Sequence, residues 1–165
     1  GSAVYYQWIE KTDPKMFSEI KKRVAEGRWN IVGGWFLQPD CNIPDGESFA
    51  RHALVSQRYF KEKFGVTAKT GYNVDSFGHN ASLPKILKKS GMDNYVFMRP
   101  MPEEGYTKET LFNWESDDGS SVCTYRIPWY YNFSEKELFE RLKEKAENDK
   151  KDYMAQIRKT LYGVI

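Results

Sequence analysis

Three polar residues stand directly after apolar stretches of the sequence, where their side chains could do chemistry. Asp75 follows an apolar and aromatic run at residues 66–74, and a new helical pattern begins at Ser82. Asp40 lies in a turn-rich loop, and Arg99 ends another short apolar run. Reacting groups in α/β folds usually sit at the carboxyl ends of the strands. The three side chains are therefore candidates for one site, although an Asp after a strand is also a common turn former or helix cap.

Arg99 has two interpretations from its residue type. It could pair with a surface carboxylate, a contact that stabilises little. It could also present its planar fork of donors to a carboxylate or to sugar hydroxyls. The sequence by itself leaves both open.

The elements that must position these residues alternate between strands and helices. Helices are predicted over residues 5–9, 14–27, 47–64 and 83–91, and strands over 29–37, 66–74 and 94–98. Asp13, Asp45 and Ser82 are predicted N-caps, and Gly27, Gly65 and Gly91 are predicted helix stops. Residues 111–115 and 122–127, joined through Asp118-Gly119, predict a hairpin. The alternation predicts an α/β fold with a mostly parallel sheet and flanking helices.

Two pairs of residues suggest structural or binding roles beyond strand or helix formation. Gly33 and Gly34 interrupt the predicted strand 29–37 and suggest a bulge or a close approach of backbone. Trp129 and Tyr130 follow the hairpin in an aromatic stretch, residues 128–133, that would either fill a core or form a platform for a sugar ring.

Composition excludes several classes of function. The net charge is only +2 with both signs interspersed, so a nucleic-acid partner is not expected. The sequence contains no apolar run of about 18 residues, so no membrane span is expected. Cys41 and Cys123 predict a reduced, intracellular pair and thus a cytoplasmic protein. Five Trp, eleven Tyr and ten Phe are many for 165 residues. Aromatic residues mostly fill cores, but such a surplus also suits a site that stacks against sugar rings.

Three motifs occur in order and with compatible spacing: GGWFLQPDCNIPDGES at 33–48, GYNVDSFGH at 71–79 and VFMRP at 96–100. Together they resemble the catalytic domain of glycoside hydrolase family 38, the class II α-mannosidases. The resemblance implies that Asp75 is both the catalytic nucleophile and a zinc ligand. It also implies that Asp40 and Arg99 bind the sugar, that the substrate is a mannose-containing oligosaccharide or glycoside, and that the fold is part of an incomplete (β/α) barrel.

The sequence also departs from the pattern of that family. The other zinc ligands that the resemblance implies, a His-x-Asp near the domain start and a late His, do not occur, and the last histidine is His79. His79 is expected to orient a neighbouring group or to cap a turn rather than to bind metal. We therefore expect residues 1–2 to be a cloning remnant and 3–165 to be an internal fragment, inactive and without zinc when isolated. Unpaired sheet edges would favour its self-association.

Two other classes of function remain open from the sequence. A non-catalytic carbohydrate-binding α/β module would use the aromatic residues and Asp40, but it would not require an ionised and buried Asp75. A metal-dependent barrel of the deacetylase kind would need a His-x-x-x-His type of ligand pair, which the sequence lacks.

Overall fold

The computed structural model describes residues 2–100, 104, 109–128, 140 and 143 of the chain. The chain divides into two compact units, residues 1–129 and 130–165, and the elements below belong to the first. In order they are α1 (Ala3–Thr12), α2 (Pro14–Ala25), α3 (Gly46–Phe64), β1 (Thr70–Asn73), α4 (Leu83–Lys89), β2 (Asn94–Phe97), β3 (Leu111–Glu115) and β4 (Ser121–Arg126).

The described strands form one sheet in the order β1-β2-β4-β3. The pairs β1–β2 and β2–β4 are parallel, and β3–β4 is antiparallel. The short helix α4 provides the crossover that a parallel β1–β2 pair requires. β3 and β4 form the hairpin predicted around Gly119, whose φ of 76° suits the turn. The prediction of a mostly parallel α/β sheet with flanking helices is confirmed.

The prediction of a strand over residues 29–37 is wrong. The structure has only an isolated parallel bridge there, between Gly33 and Gly71. The cause is backbone geometry, since Gly33 and Gly34 have φ values of 98° and 67°, in the left-handed region that ends an extended run. The close approach predicted for this pair is confirmed, because a Cβ on Gly34 would overlap the Met92 sulfur and the Gly34 carbonyl accepts a hydrogen bond from Ser56.

Local capping chemistry agrees with most of the predicted helix ends. The Asp13 carboxylate accepts from the Met16 amide at 2.9 Å, and the Asp45 carboxylate accepts from the Ser48 amide at 2.7 Å. Helix α3 ends at Gly65 with a φ of 75°. Ser82 does occupy the N-cap position of α4, but its side chain makes no capping hydrogen bond.

Two hydrophobic clusters fix the elements, and α3 contributes to both. Its first half packs Phe49 and Ala53 into a cluster that covers the sheet, with these further members: Trp35, Cys41, Leu83, Leu87, Met92, Tyr95, Phe97 and Val122. Its second half packs Tyr59 and Phe60 against α1 and α2. The sheet is thereby held against α3 and α4, and its carboxyl edge is left for polar groups.

Candidate functional site

The structure brings Asp75 and Arg99 together at the carboxyl edge of the sheet. β1 and β2 are parallel neighbours with Asn73 opposite Phe97, so the residues that follow them emerge side by side. The Arg99 amide donates to the Val74 carbonyl at 3.2 Å, and the Arg99 Nε donates to the Asp75 Oδ1 at 2.8 Å. The side chains of Asp75 and Arg99 are 45% and 31% exposed, so the ion pair is open to a ligand from solvent.

Phe77 gives this edge an exposed apolar surface. Its side chain is 75% exposed, and the Arg99 guanidinium lies 5.3 Å from the centroid of its ring. An aromatic ring with a cation at its face is a favourable contact even at an exposed site. The arrangement places an apolar face and an ion pair beside each other, a combination that suits a ligand with both C–H faces and hydroxyl groups.

His79 is buried and uses both ring nitrogens. Its Nε2 lies 2.6 Å from the Arg99 carbonyl oxygen, and its Nδ1 lies 2.9 Å from the Tyr95 hydroxyl. Burial lowers the pKa of His79, and the Arg99 carbonyl and the charge of Asp40 oppose that shift. The side chain is thus a neutral imidazole at neutral pH, fixed between two partners.

Asp40 forms the turn that its residue type predicts. One carboxylate oxygen accepts from the amides of Asn42 and Ile43, at 2.8 and 2.9 Å. These backbone hydrogen bonds lower the pKa of Asp40, and the interaction with His79 acts in the same direction. The carboxylate is exposed, and the Asn42 side-chain amide donates to the Phe77 carbonyl at 3.4 Å, so the Asp40 loop lies beside the loop that follows Asp75.

Asn73, a residue that the sequence analysis did not single out, ties the Asp40 loop to β1. Its carbonyl oxygen accepts from the Trp35 indole at 2.7 Å, and its amide donates to the Pro39 carbonyl at 3.1 Å. Asn73 is fully buried. A fully buried Asn needs such partners. The feature of the sequence that could have indicated this role is the presence of an Asn inside an apolar strand. A second link, from the Asn80 amide to the Cys41 carbonyl at 3.1 Å, joins the two loops directly.

Four further residues were singled out from the sequence: two aromatic residues after the hairpin and two cysteines. Trp129 and Tyr130 lie outside the described residues. Cys41 and Cys123 are both free thiols, the first buried and the second exposed. Burial raises the pKa of the Cys41 thiol. The cytoplasmic location stays a prediction.

The described part of the chain does not offer a complete metal site. Within it no group of three or more His, Cys, Asp and Glu side chains is arranged to hold an ion. The two ring nitrogens of His79 are engaged by Tyr95 and Arg99, so the histidine nearest to Asp75 in sequence is not a free ligand. The helices among the described residues are also too short or too polar to cross a membrane.

Comparison with known proteins places this chain in a family. The sequence matches the N-terminal domain of the glycosyl hydrolases family 38 over residues 1–163. It is 34% identical over 130 residues to alpha-mannosidase G of Dictyostelium discoideum and 29% identical over 130 residues to alpha-mannosidase 2C1 of Homo sapiens. Each alignment covers 78% of this chain and 12% of the relative, so the chain spans about an eighth of the curated relatives it matches.

Solved structures support the same fold. An alpha-mannosidase from Enterococcus faecalis V583 superimposes with a TM-score of 0.68 at 22% identity, over 78% of this chain and 14% of that one. A 4-alpha-glucanotransferase from Thermococcus litoralis gives 0.64 at 21% identity, over 76% of this chain and 20% of that one. At these identities the likeness concerns the fold. Together with the sequence match, it shows that the chain belongs to glycosyl hydrolase family 38, as part of the N-terminal domain.

Proposed function

We propose that the protein containing this chain is a retaining α-mannosidase, which hydrolyses terminal α-mannosides with Asp75 as its nucleophile. One observation carries the proposal: Asp75 stands at the carboxyl edge of the sheet in a family 38 domain, oriented by Arg99 and open to solvent. The relatives named alpha-mannosidases support the substrate class.

In the proposed reaction Asp75 attacks the anomeric carbon of the mannoside. The Oδ1 atom is held by Arg99, so we assign the attack to Oδ2. A C–O bond forms between Asp75 and the sugar while the bond to the leaving oxygen breaks, and a general acid protonates that oxygen. Water then cleaves the glycosyl-enzyme ester and restores the carboxylate.

Asp40 is not suited to be the general acid. That role needs a carboxyl group whose pKa is raised, so that it holds a proton near neutral pH. The backbone amides of Asn42 and Ile43 instead lower the pKa of Asp40. We therefore assign Asp40 to accepting hydrogen bonds from sugar hydroxyls and place the general acid in another part of the protein.

The other sugar contacts are assigned from residue type. The hydrogen bond to Asp75 uses Nε of Arg99, and the remaining N–H donors of the guanidinium are the ones we assign to sugar hydroxyls. Trp129 and Tyr130 are proposed as a platform for the apolar face of the ring. His79 is proposed to orient Arg99 through the carbonyl that it contacts.

In this proposal the zinc site is formed by the whole protein and not by this chain alone. Of the described residues, only Asp75 is proposed as a ligand, and a catalytic zinc usually has three protein ligands. The described residues therefore do not fit a complete zinc site, and we place the remaining ligands outside this chain. When bound, zinc would supply Lewis-acid stabilisation and a template for the sugar.

The test is Asp75→Asn in the full-length protein, assayed with an aryl α-mannoside. Removal of the attacking carboxylate should lower kcat/KM by several orders of magnitude. The matched control is Asp93→Asn. Asp93 is also an exposed ion-paired aspartate, 2.6 Å from Lys88, but it precedes β2 at the opposite edge of the sheet.

Asp93→Asn should leave turnover within about twofold, because an exposed ion pair contributes little. An unchanged rate in Asp75→Asn, with both variants folded, would rule out the nucleophile. Equal losses in the two variants would show that the effect of Asp75→Asn is not specific to the site.

A further inference from the structure

A chain of buried polar groups leads to the Arg99 carbonyl. The Tyr95 side chain is fully buried, and its hydroxyl contacts Nδ1 of His79 at 2.9 Å. On its other side the same hydroxyl lies 3.7 Å from the Cys41 sulfur, which donates to the Ser76 hydroxyl at 3.4 Å. The chain ends at the Arg99 carbonyl, on the residue that orients the proposed nucleophile.

The direction of these hydrogen bonds follows from which groups can donate. A backbone carbonyl only accepts, so Nε2 of His79 carries the proton in its contact with Arg99. A neutral imidazole has one N–H, so Nδ1 is the acceptor and Tyr95 donates to it. The Arg99 carbonyl therefore selects the His79 tautomer, and the Tyr95 hydroxyl stabilises that tautomer by donating to Nδ1.

Aromatic packing limits how else His79 could be held. The His79 ring centroid lies 4.7 Å from that of Phe97, 5.6 Å from that of Tyr95 and 6.1 Å from that of Trp114. These contacts confine the ring but do not distinguish one nitrogen from the other. Without the Tyr95 hydroxyl, Nδ1 becomes a buried acceptor that has lost its donor, which is costly.

Arg99 depends on this support because its ion pair is half-exposed. An exposed ion pair does little by itself to fix the long side chain of Arg99. The backbone of Arg99 is instead held at two points: its amide binds the Val74 carbonyl and its carbonyl binds His79. Loss of the second contact would free the residue to rotate and would change the direction in which its Nε meets Asp75.

We propose that Tyr95 is a positioning residue for the reaction: its hydroxyl holds His79 against the Arg99 carbonyl and thereby fixes the Arg99–Asp75 pair. The inference rests on the proposed function, in which Asp75 is the attacking carboxylate. It adds a fully buried residue that acts through His79 and Arg99.

The first test is Tyr95→Phe in the full-length enzyme, which removes one oxygen and keeps the ring. We expect kcat for an aryl α-mannoside to fall by about 10–100-fold, the usual range for a partner that orients a catalytic group, with little change in KM. Tyr6→Phe is the matched control, since it removes a buried tyrosine hydroxyl that binds the Trp29 indole at 2.9 Å in the other cluster. It should leave kcat unchanged.

The second test repeats Tyr95→Phe in a His79→Gln background. A glutamine amide can donate to the Arg99 carbonyl but has no tautomers and no atom in the place of Nδ1. Tyr95→Phe should then cost at most about a further twofold, so the two substitutions are strongly coupled. An equal loss in both backgrounds, or no loss in the unmodified enzyme, would overturn the proposal.

A crystal structure of Tyr95→Phe separates this inference from the proposed function. The distance from His79 Nε2 to the Arg99 carbonyl should lengthen beyond about 3.5 Å, the limit of a hydrogen bond. An unchanged contact would refute the role of Tyr95 whatever the kinetics show. A lengthened contact in a protein whose unmodified form hydrolyses no α-mannoside would refute the proposed function and leave Tyr95 as the group that positions Asp75.

Discussion

Asn73→Ala should be among the most destabilising single substitutions near the site. Asn73 is fully buried and holds both the Trp35 indole and the Pro39 carbonyl. Trp35 is 1% exposed and Pro39 is buried, so water does not readily replace the lost amide. Each buried polar group left without a partner costs about 1–3 kcal/mol, which gives about 2–6 kcal/mol for the two.

That loss is a large share of the free energy of unfolding of a typical domain, about 5–15 kcal/mol. Denaturant unfolding of the chain, followed by tryptophan fluorescence, measures the change directly. Asn42→Ala is the matched control, because Asn42 is exposed and its amide lies 3.4 Å from the Phe77 carbonyl. Asn42→Ala should change stability by no more than about 0.5 kcal/mol.

A loss below about 1 kcal/mol in Asn73→Ala, no larger than in the control, would refute the reasoning, since it would mean that the two partners keep their hydrogen bonds without Asn73. In the full-length enzyme the same substitution should also weaken substrate binding, because Pro39 directly precedes Asp40 on the loop that Asn73 holds.

Two further predictions concern protons and metal. Burial lowers the pKa of His79, so the unfolded chain binds more protons, and the free energy of unfolding should fall as pH drops from about 7 to about 5. His79→Gln should flatten that pH dependence in urea titrations; an equally steep curve in the variant would assign the effect to another group. Calorimetry of the chain with zinc at neutral pH should show no stoichiometric binding tighter than about micromolar, since a catalytic site needs about three protein ligands. Tight binding lost in Asp75→Ala would reveal further ligands within the chain.

The sequence determined the local features because each depends on residues close together in the chain. The caps at Asp13 and Asp45 and the stop at Gly65 follow from short-range hydrogen bonding and glycine geometry. The same is true of the hairpin around Gly119. The alternation of strands and helices also fixed the mostly parallel sheet, because a parallel pair needs a crossover such as α4.

Within the described residues, the strand predicted over 29–37 shows the limit of local patterns. Residues 29–37 have strand-forming composition, but the left-handed backbone of Gly33 and Gly34 stops the strand after a single bridge. In that geometry Gly34 packs against Met92, a residue far along the chain, whose sulfur leaves no room for a Cβ on Gly34. A prediction from neighbouring residues alone does not include that contact, so it follows the strand propensity of residues 29–37.

Which groups meet at the sheet edge depends on how the strands pair. The sequence indicated Asp75 and Arg99 separately, and the parallel register of β1 and β2 joined them in one ion pair. Tyr95 and Asn73 lie inside strands, where side chains alternate between the two faces of the sheet. The strand pattern alone does not show which of these side chains makes a hydrogen bond that supports the site. Their importance comes from partners 16 to 38 residues away in sequence. Hydrogen bonds across such separations depend on how the elements pack, which residue types alone do not specify.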